Sequence, residues 1–164
     1  MAPSNVMPHS VYFFMDMVDQ KVWDNTVFLH TQDHILTSVL ATPEGEDKRP
    51  LVESRLAFPE YSDQFQHEKF TFGFANVGPE FYLNMHDNVE NHGPGGASLQ
   101  NDSEHEADPC FARVVIGTSV IEQLKKKTYN SEDRGNVYSS IQSVRVIKPP
   151  AERLKQIQNG KTIQ

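Results

Sequence analysis

One cysteine, Cys110, stands in the 164-residue chain, so no internal disulfide can staple the fold. Stability must come from an apolar core, and Cys110, inside an apolar run, reads as a small buried hydrophobe. Positive charge is also scarce: 15 Lys and Arg face 22 Asp and Glu, a net charge of −7. Phosphate binding needs clustered cations, so nucleic acid is not an expected partner. The one basic cluster, Lys125-Lys126-Lys127, reads as the last turn of a helix, where cations oppose the negative end of the dipole. No apolar run approaches the roughly 20 residues of a bilayer-spanning helix, so no membrane partner is expected of this chain.

Aromatic side chains are not scarce. Ten phenylalanines in a chain that is 37% hydrophobic suit a packed domain rather than a disordered segment. The length suits one such domain, read here as residues 1–148. Pro149-Pro150 stops the last strand, and residues 149–164 form a polar tail.

Ser10 is placed as the N-cap of a helix over Val11–Val22, where Val11, Phe14, Met15, Val18 and Val22 recur at spacings of three and four. Asp24-Asn25 ends it. Short strands are expected over Thr26–Thr31, Leu51–Phe58, Phe70–Phe74, Glu80–Asn84, Cys110–Ile116 and within Val137–Ile147. Ile35–Ala41 is a strand or a buried helical turn. A second helix is expected over Ser119–Lys127, after Gly117. Asp87–Asp108 is a long polar surface loop, a length uncommon without a functional or flexible role. Its histidines, with neighbouring His86, read as solvated, because no spacing among them matches a zinc signature. No metal or cofactor is expected. Strands dominate with two helices, which suits a mostly β chain arranged as a barrel plugged by helices, or an α+β sandwich.

Particular segments then resemble one family. Met7-Pro8-His9-Ser10 and Val11-Tyr12-Phe13-Phe14 are similar to the lead-in and first helix of cyclophilins, the prolyl isomerase barrels. Phe28-Leu29-His30 resembles the family's Phe-His-Arg strand. Gly73-Phe74-Ala75-Asn76, Pro79-Glu80-Phe81-Tyr82-Leu83 and Cys110-Phe111-Ala112 resemble its later strands. Gly117–Lys125 and Ile141–Ile147 resemble its last helix and strand. The resemblance implies an antiparallel β-barrel. Two barrel strands precede the first helix in the family, whereas Met1–His9 extends at most roughly 30 Å. The implied barrel is therefore closed differently, or is incomplete by its first hairpin.

The resemblance also implies an activity, prolyl cis-trans isomerisation, and a proline-containing peptide as partner. Prolyl rotation faces a barrier of roughly 18–20 kcal/mol from amide resonance. A catalyst lowers it with an apolar pocket for the ring and a fixed donor that favours the twisted amide. In this register the donor position of the family arginine is His30, shorter and lacking a guanidinium's fork. Ile35, Ser38 and Glu80 take the places of a pocket phenylalanine and two glutamines. Phe74, Ala75 and Asn76 would offer backbone to an extended peptide, and Tyr82 would line the proline pocket with Phe81 turned to the core. Asp108 lies nearest the family's pocket histidine. The loss at His30 leads to the expectation of weak or absent catalysis, with a non-catalytic peptide-binding or interaction module as the alternative.

Overall fold

Among the described residues, six short segments build a single antiparallel sheet. The computed structural model describes residues 1–3, 5–29, 33–52, 55–96, 107–129 and 138–147. Helix α1 (Pro8–Asp19) is followed by strands β1 (Thr26–Leu29) and β2 (Ile35–Val39), then a 3-10 turn at Arg49–Leu51. Next come β3 (Thr71–Phe74), β4 (Phe81–Asn84), the four-residue helix α2 (Val89–His92), β5 (Cys110–Arg113), α3 (Thr118–Tyr129) and β6 (Tyr138–Ile141). The strand order is β5-β3-β4-β2-β1-β6, every neighbouring pair antiparallel. The sheet is not closed: β5 and β6 are its edges among the described residues.

The period-2 alternation gives the sheet two chemically different faces. Phe81 and Leu83 of β4 and Leu36 of β2 point to the apolar interior. Tyr82 and Asn84, between and after them, point the other way into a polar layer. Helix α1 packs Phe13, Met17 and Val18 onto the interior beside Phe74, Phe81 and Phe111. Phe74 and Phe111 stack at 4.3 Å, and Phe14 meets Phe81 edge-on at 5.4 Å. Such aromatic pairs add roughly 0.5–1.5 kcal/mol each beyond the area they bury. Trp23 is wholly buried, its ring edge-on to Phe81 at 4.6 Å. A second cluster of Leu36, Leu83 and Met85 is covered by Ile121 of α3.

Several expectations are corrected. Helix α1 begins at Pro8, so Ser10 lies in its first turn rather than at its cap. Pro8 suits that position, because the first helical N–H has no intrahelical acceptor. Leu51–Phe58 holds no strand among its described residues; Leu51 ends a 3-10 turn and Leu56 hangs from Val77 by one backbone bond of 3.0 Å. Ile35–Val39 resolves as strand, paired on both sides. The loop after β4 contains α2, which buries His92 where a solvated side chain was expected; His86 is exposed. His105 and the tail 149–164 lie outside the described residues.

Candidate functional site

Three sequence-distant segments converge on the polar face of β4. The Tyr82 hydroxyl donates to Asp108 Oδ2 at 2.9 Å, and His92 Nδ1 lies 2.9 Å from that oxygen. The backbone N–H of Asn76 donates to Asp108 Oδ1 at 2.9 Å. His67 Nε2 meets the Asp108 carbonyl at 2.7 Å. A carbonyl can only accept, so Nε2 carries the proton and Nδ1 is an acceptor; it faces the Asn84 Nδ2 donor at 3.5 Å, while the Tyr82 hydroxyl 3.3 Å away gives its one proton to Asp108. The network continues through Asn84 Nδ2 to Thr71 Oγ1 at 3.0 Å and from Asn88 Nδ2 to Asn84 Oδ1 at 2.8 Å.

The rings are stacked as well as bonded. Tyr82 lies against His92 with centroids 4.5 Å apart, and against His67 at 6.0 Å. Tyr82 is 1% exposed and Asp108 5%. Burial, and then the neighbouring Asp108 carboxylate, push the Tyr82 phenol well above its usual range. Burial likewise lowers the His67 imidazole to about 4. Gly73 of β3 makes the stacking possible: a Cβ there would stand 2.6 Å from Tyr82 Oη and 2.9 Å from His67 Cε1. The ring of Tyr82 occupies the volume that a side chain at 73 would need.

The other expected site residues are distributed unevenly around this layer. Ser38 is buried on the opposite, interior face, and its Oγ accepts from the Phe81 N–H at 2.8 Å. Ile35 is buried opposite Asn84. Phe74 belongs to the core under α1. Ala75 and Asn76 are exposed, yet the backbone N–H groups of Phe74, Ala75 and Asn76 are all engaged within the chain, by Pro109, Glu80 and Asp108. Glu80 lines a polar cleft of about 180 Å³ with Arg49, Val52, Arg55 and Pro79. His30 lies outside the described residues.

His67 and His92 were missed as partners of Tyr82 and Asp108. His67 sits in a polar connection and His92 in a loop, where no periodicity marks a residue as buried. A weak signal existed in the side-chain amides Asn84, Asn88 and Asn91, spaced three and four apart after an apolar strand, which anticipate a local polar network.

The chain matches the family model of the cyclophilin type peptidyl-prolyl cis-trans isomerases over residues 3–146. It belongs to that family. No curated protein sequence matches it. Among solved structures it is similar to a cyclophilin type peptidyl-prolyl cis-trans isomerase of Cryptosporidium parvum, at a TM-score of 0.63 and 10% identity over 90% of this chain and 88% of the other. The same protein in the presence of the dipeptide Ala-Pro matches at a TM-score of 0.62 and 9% identity, covering 88% and 89%. At such identities the likeness establishes the fold.

Proposed function

We propose that this cyclophilin-family domain is a protein-interaction module in which prolyl isomerisation is weak or lost. One observation carries the reading: the Tyr82 ring, expected to line a proline pocket, is buried beside His67 and His92, the three rings in mutual contact, with its hydroxyl bonded to Asp108. A pocket that must accept a proline ring needs an open apolar wall. Here that place is held by a buried polar network around Asp108, which is costly to dismantle because the groups bonded to Asp108 would be left unpaired. The engaged N–H groups at 74–76 support the same reading, since an extended peptide would have to compete with bonds already made. The histidine at position 30, where the resemblance expects an arginine, adds a third argument.

The relative solved with Ala-Pro keeps a residual proline-peptide affinity in view for this chain. The test is a prolyl isomerisation assay on a proline tetrapeptide, run on the natural chain and on His30→Arg after circular dichroism confirms a cooperative fold. The expected outcome is turnover more than tenfold below an ordinary family member in both proteins, because the filled pocket remains in the variant. Turnover within tenfold in the natural chain would restore the enzyme reading. Recovery in His30→Arg alone would show an open pocket that lacks only its donor.

A further inference from the structure

Three histidine rings meet in a row on the polar side of β4: His34, His92 and His67, with centroids 5.7 and 5.5 Å apart. The titratable groups facing His67 are Tyr82 of β4, His92 of α2, and Asp108 and Cys110 at the start of β5. Thr71 and Gly73 of β3 bring no charge. Exposed Glu68, next in sequence, is paired with Arg113. Burial raises both the Tyr82 phenol and the Cys110 thiol, so both stay neutral. Among the described residues, Asp108 is therefore the negative charge of this layer, and its two oxygens are already taken by Tyr82, His92 and Asn76. A proton added to His67 goes to Nδ1, since Nε2 already donates to the Asp108 carbonyl. There it meets the Asn84 amide, itself a donor to Thr71, and a neutral acceptor, the Tyr82 oxygen at 3.3 Å. Neither balances a buried charge.

We propose that α2 is a lid over Tyr82 that acid releases: protonation of His67 favours a state in which α2 has lifted from the sheet and the Tyr82 ring is open to an extended peptide. The inference rests on the reading that Tyr82 and its neighbours fill the peptide site. Helix α2 suits the part, because none of its four residues belongs to the apolar clusters of the core. It is held by polar bonds that run to the histidine segments. The Asn88 N–H donates to the His67 carbonyl at 2.8 Å, the Asn88 side-chain amide to the His34 carbonyl at 3.1 Å, and the Asp108 N–H to the His92 carbonyl at 3.0 Å. His92 is the closer of the two imidazoles on Tyr82, at 4.5 Å, so its departure uncovers the ring and admits water to His67. The aromatic core on the other face of the sheet needs no change. Linkage sets the size of the effect. With His67 at about 4 in the closed layer and about 6.5 in water, a drop from pH 7.5 to pH 5 raises the opening constant up to about 30-fold. His34, lowered by burial and then by His92, adds in the same direction.

The test is amide hydrogen exchange of the full chain at pH 7.5, 6 and 5, corrected for the intrinsic rate. A proline tetrapeptide blocked at both ends, so that it does not itself titrate, is titrated at the same pH values. The N–H groups of Asn88, His92 and Asp108 should open at least about tenfold more readily than those of β4, which marks a local event. Their opening constants should rise at least about tenfold from pH 7.5 to pH 5, and peptide affinity should rise with them, because only the open fraction binds. In His67→Gln, checked by circular dichroism, both pH dependences should shrink to about threefold or less. Lid amides that exchange only together with β4 would overturn the proposal, as would the parent's pH dependence surviving in His67→Gln. Should that variant not fold, NMR of the parent's His67 ring decides: it should be neutral at pH 6, and a ring already charged there refutes the latch. Lid opening at pH 5 without peptide binding would overturn the lid's role and leave the filled-pocket reading intact. Tight binding that is equal at pH 7.5 and pH 5 would show the site open throughout and would refute both.

Discussion

Tyr82 and Asp108, 26 residues apart, are joined by a hydrogen bond of 2.9 Å from the phenol to the carboxylate, and both are buried. Asp108 is held at both oxygens: Oδ2 meets Tyr82 and His92, and Oδ1 takes the Asn76 N–H. Its own carbonyl takes His67. The residue therefore ties β4, α2 and the turn after β3 to the start of β5. Tyr82→Phe removes one donor and leaves the ring stack. The expected loss is about 1–3 kcal/mol, the range for a buried group deprived of a partner at a charged acceptor. Urea denaturation measures it, and an unchanged midpoint would show that the bond adds nothing net.

His67 makes the network sensitive to acid. Burial holds its folded-state value at about 4, below the unfolded 6.5. Between these two values the unfolded chain binds a proton that the folded chain refuses, so protonation favours unfolding. The contribution of neutral His67 is intact above pH 6.5, falls as pH drops toward 4, and falls no further below that. The slope is at most about 1.4 kcal/mol per pH unit, and the whole step about 3 kcal/mol. Half-buried His34, lowered by burial and then by His92, acts in the same direction. Stability measured from pH 7 to pH 4 should decline with this curvature and should flatten in His67→Gln. A His67→Gln variant with the parent's pH dependence would assign the acid sensitivity elsewhere.

Gly73 offers a steric test of the same layer. Its φ lies outside the left-handed region, so the constraint is space: a methyl there meets Tyr82 Oη at 2.6 Å, Tyr82 Cζ at 2.7 Å and His67 Cε1 at 2.9 Å. These are buried ring atoms that cannot swing aside. Gly73→Ala is expected to destabilise by about 1–3 kcal/mol, as overpacking does, despite the better strand propensity of alanine. If Tyr82 were displaced from the layer instead, its ring would become accessible and the near-ultraviolet dichroism would change.

How much of this could be read from the sequence depends on the range of the forces involved. The alternation at Phe81 and Tyr82 is local, and it correctly sends one ring to the core and the other to the polar face. The three-and-four spacing in α1 finds Val18 as buried and Phe14 as half-buried, but the most deeply buried apolar residues of the helix, Phe13 and Met17, fall outside the set it names. Burial of His67 and His92 is different, because each is enclosed by residues 10 or more positions away, such as Tyr82 and Asp108. No pattern within a single segment encodes that enclosure. Phe74 shows a third case: its strand was legible, while its place under Phe13 and Phe111 depends on how α1 docks.

Cys110 should be chemically silent in the folded chain. It is 1% exposed, and burial raises its thiol to about 12. The reactive species is the thiolate, which is then almost absent at neutral pH as well as inaccessible. A disulfide reagent at pH 7.5 should label less than a tenth of the protein in the time that fully labels it in urea. Rapid labelling without denaturant would mean that the β5 edge opens readily, since Cys110 begins that strand.

Glu60 is expected to hold the start of α1 from 50 residues away. Its Oε1 accepts from the His9 N–H at 3.0 Å, and its Oε2 accepts from the Ser10 N–H at 2.6 Å and the Ser10 hydroxyl at 2.7 Å. These are first-turn donors without an intrahelical acceptor, and a carboxylate there also meets the positive end of the helix dipole. The Ala57 N–H donates back to His9 Nε2 at 3.2 Å, and the His9 and Phe58 rings stack at 5.2 Å, so the segment around Glu60 is docked as a unit. Met7, the residue at the helix cap, has no side chain able to do this, and no side-chain cap bond is made there. Glu60→Ala should cost about 1–2 kcal/mol, comparable to losing a good N-cap, and Glu60→Gln clearly less because an oxygen acceptor remains. Thermal or urea unfolding of the pair measures both. Equal losses in the two variants would show that the negative charge, rather than hydrogen-bond acceptance, holds the helix start.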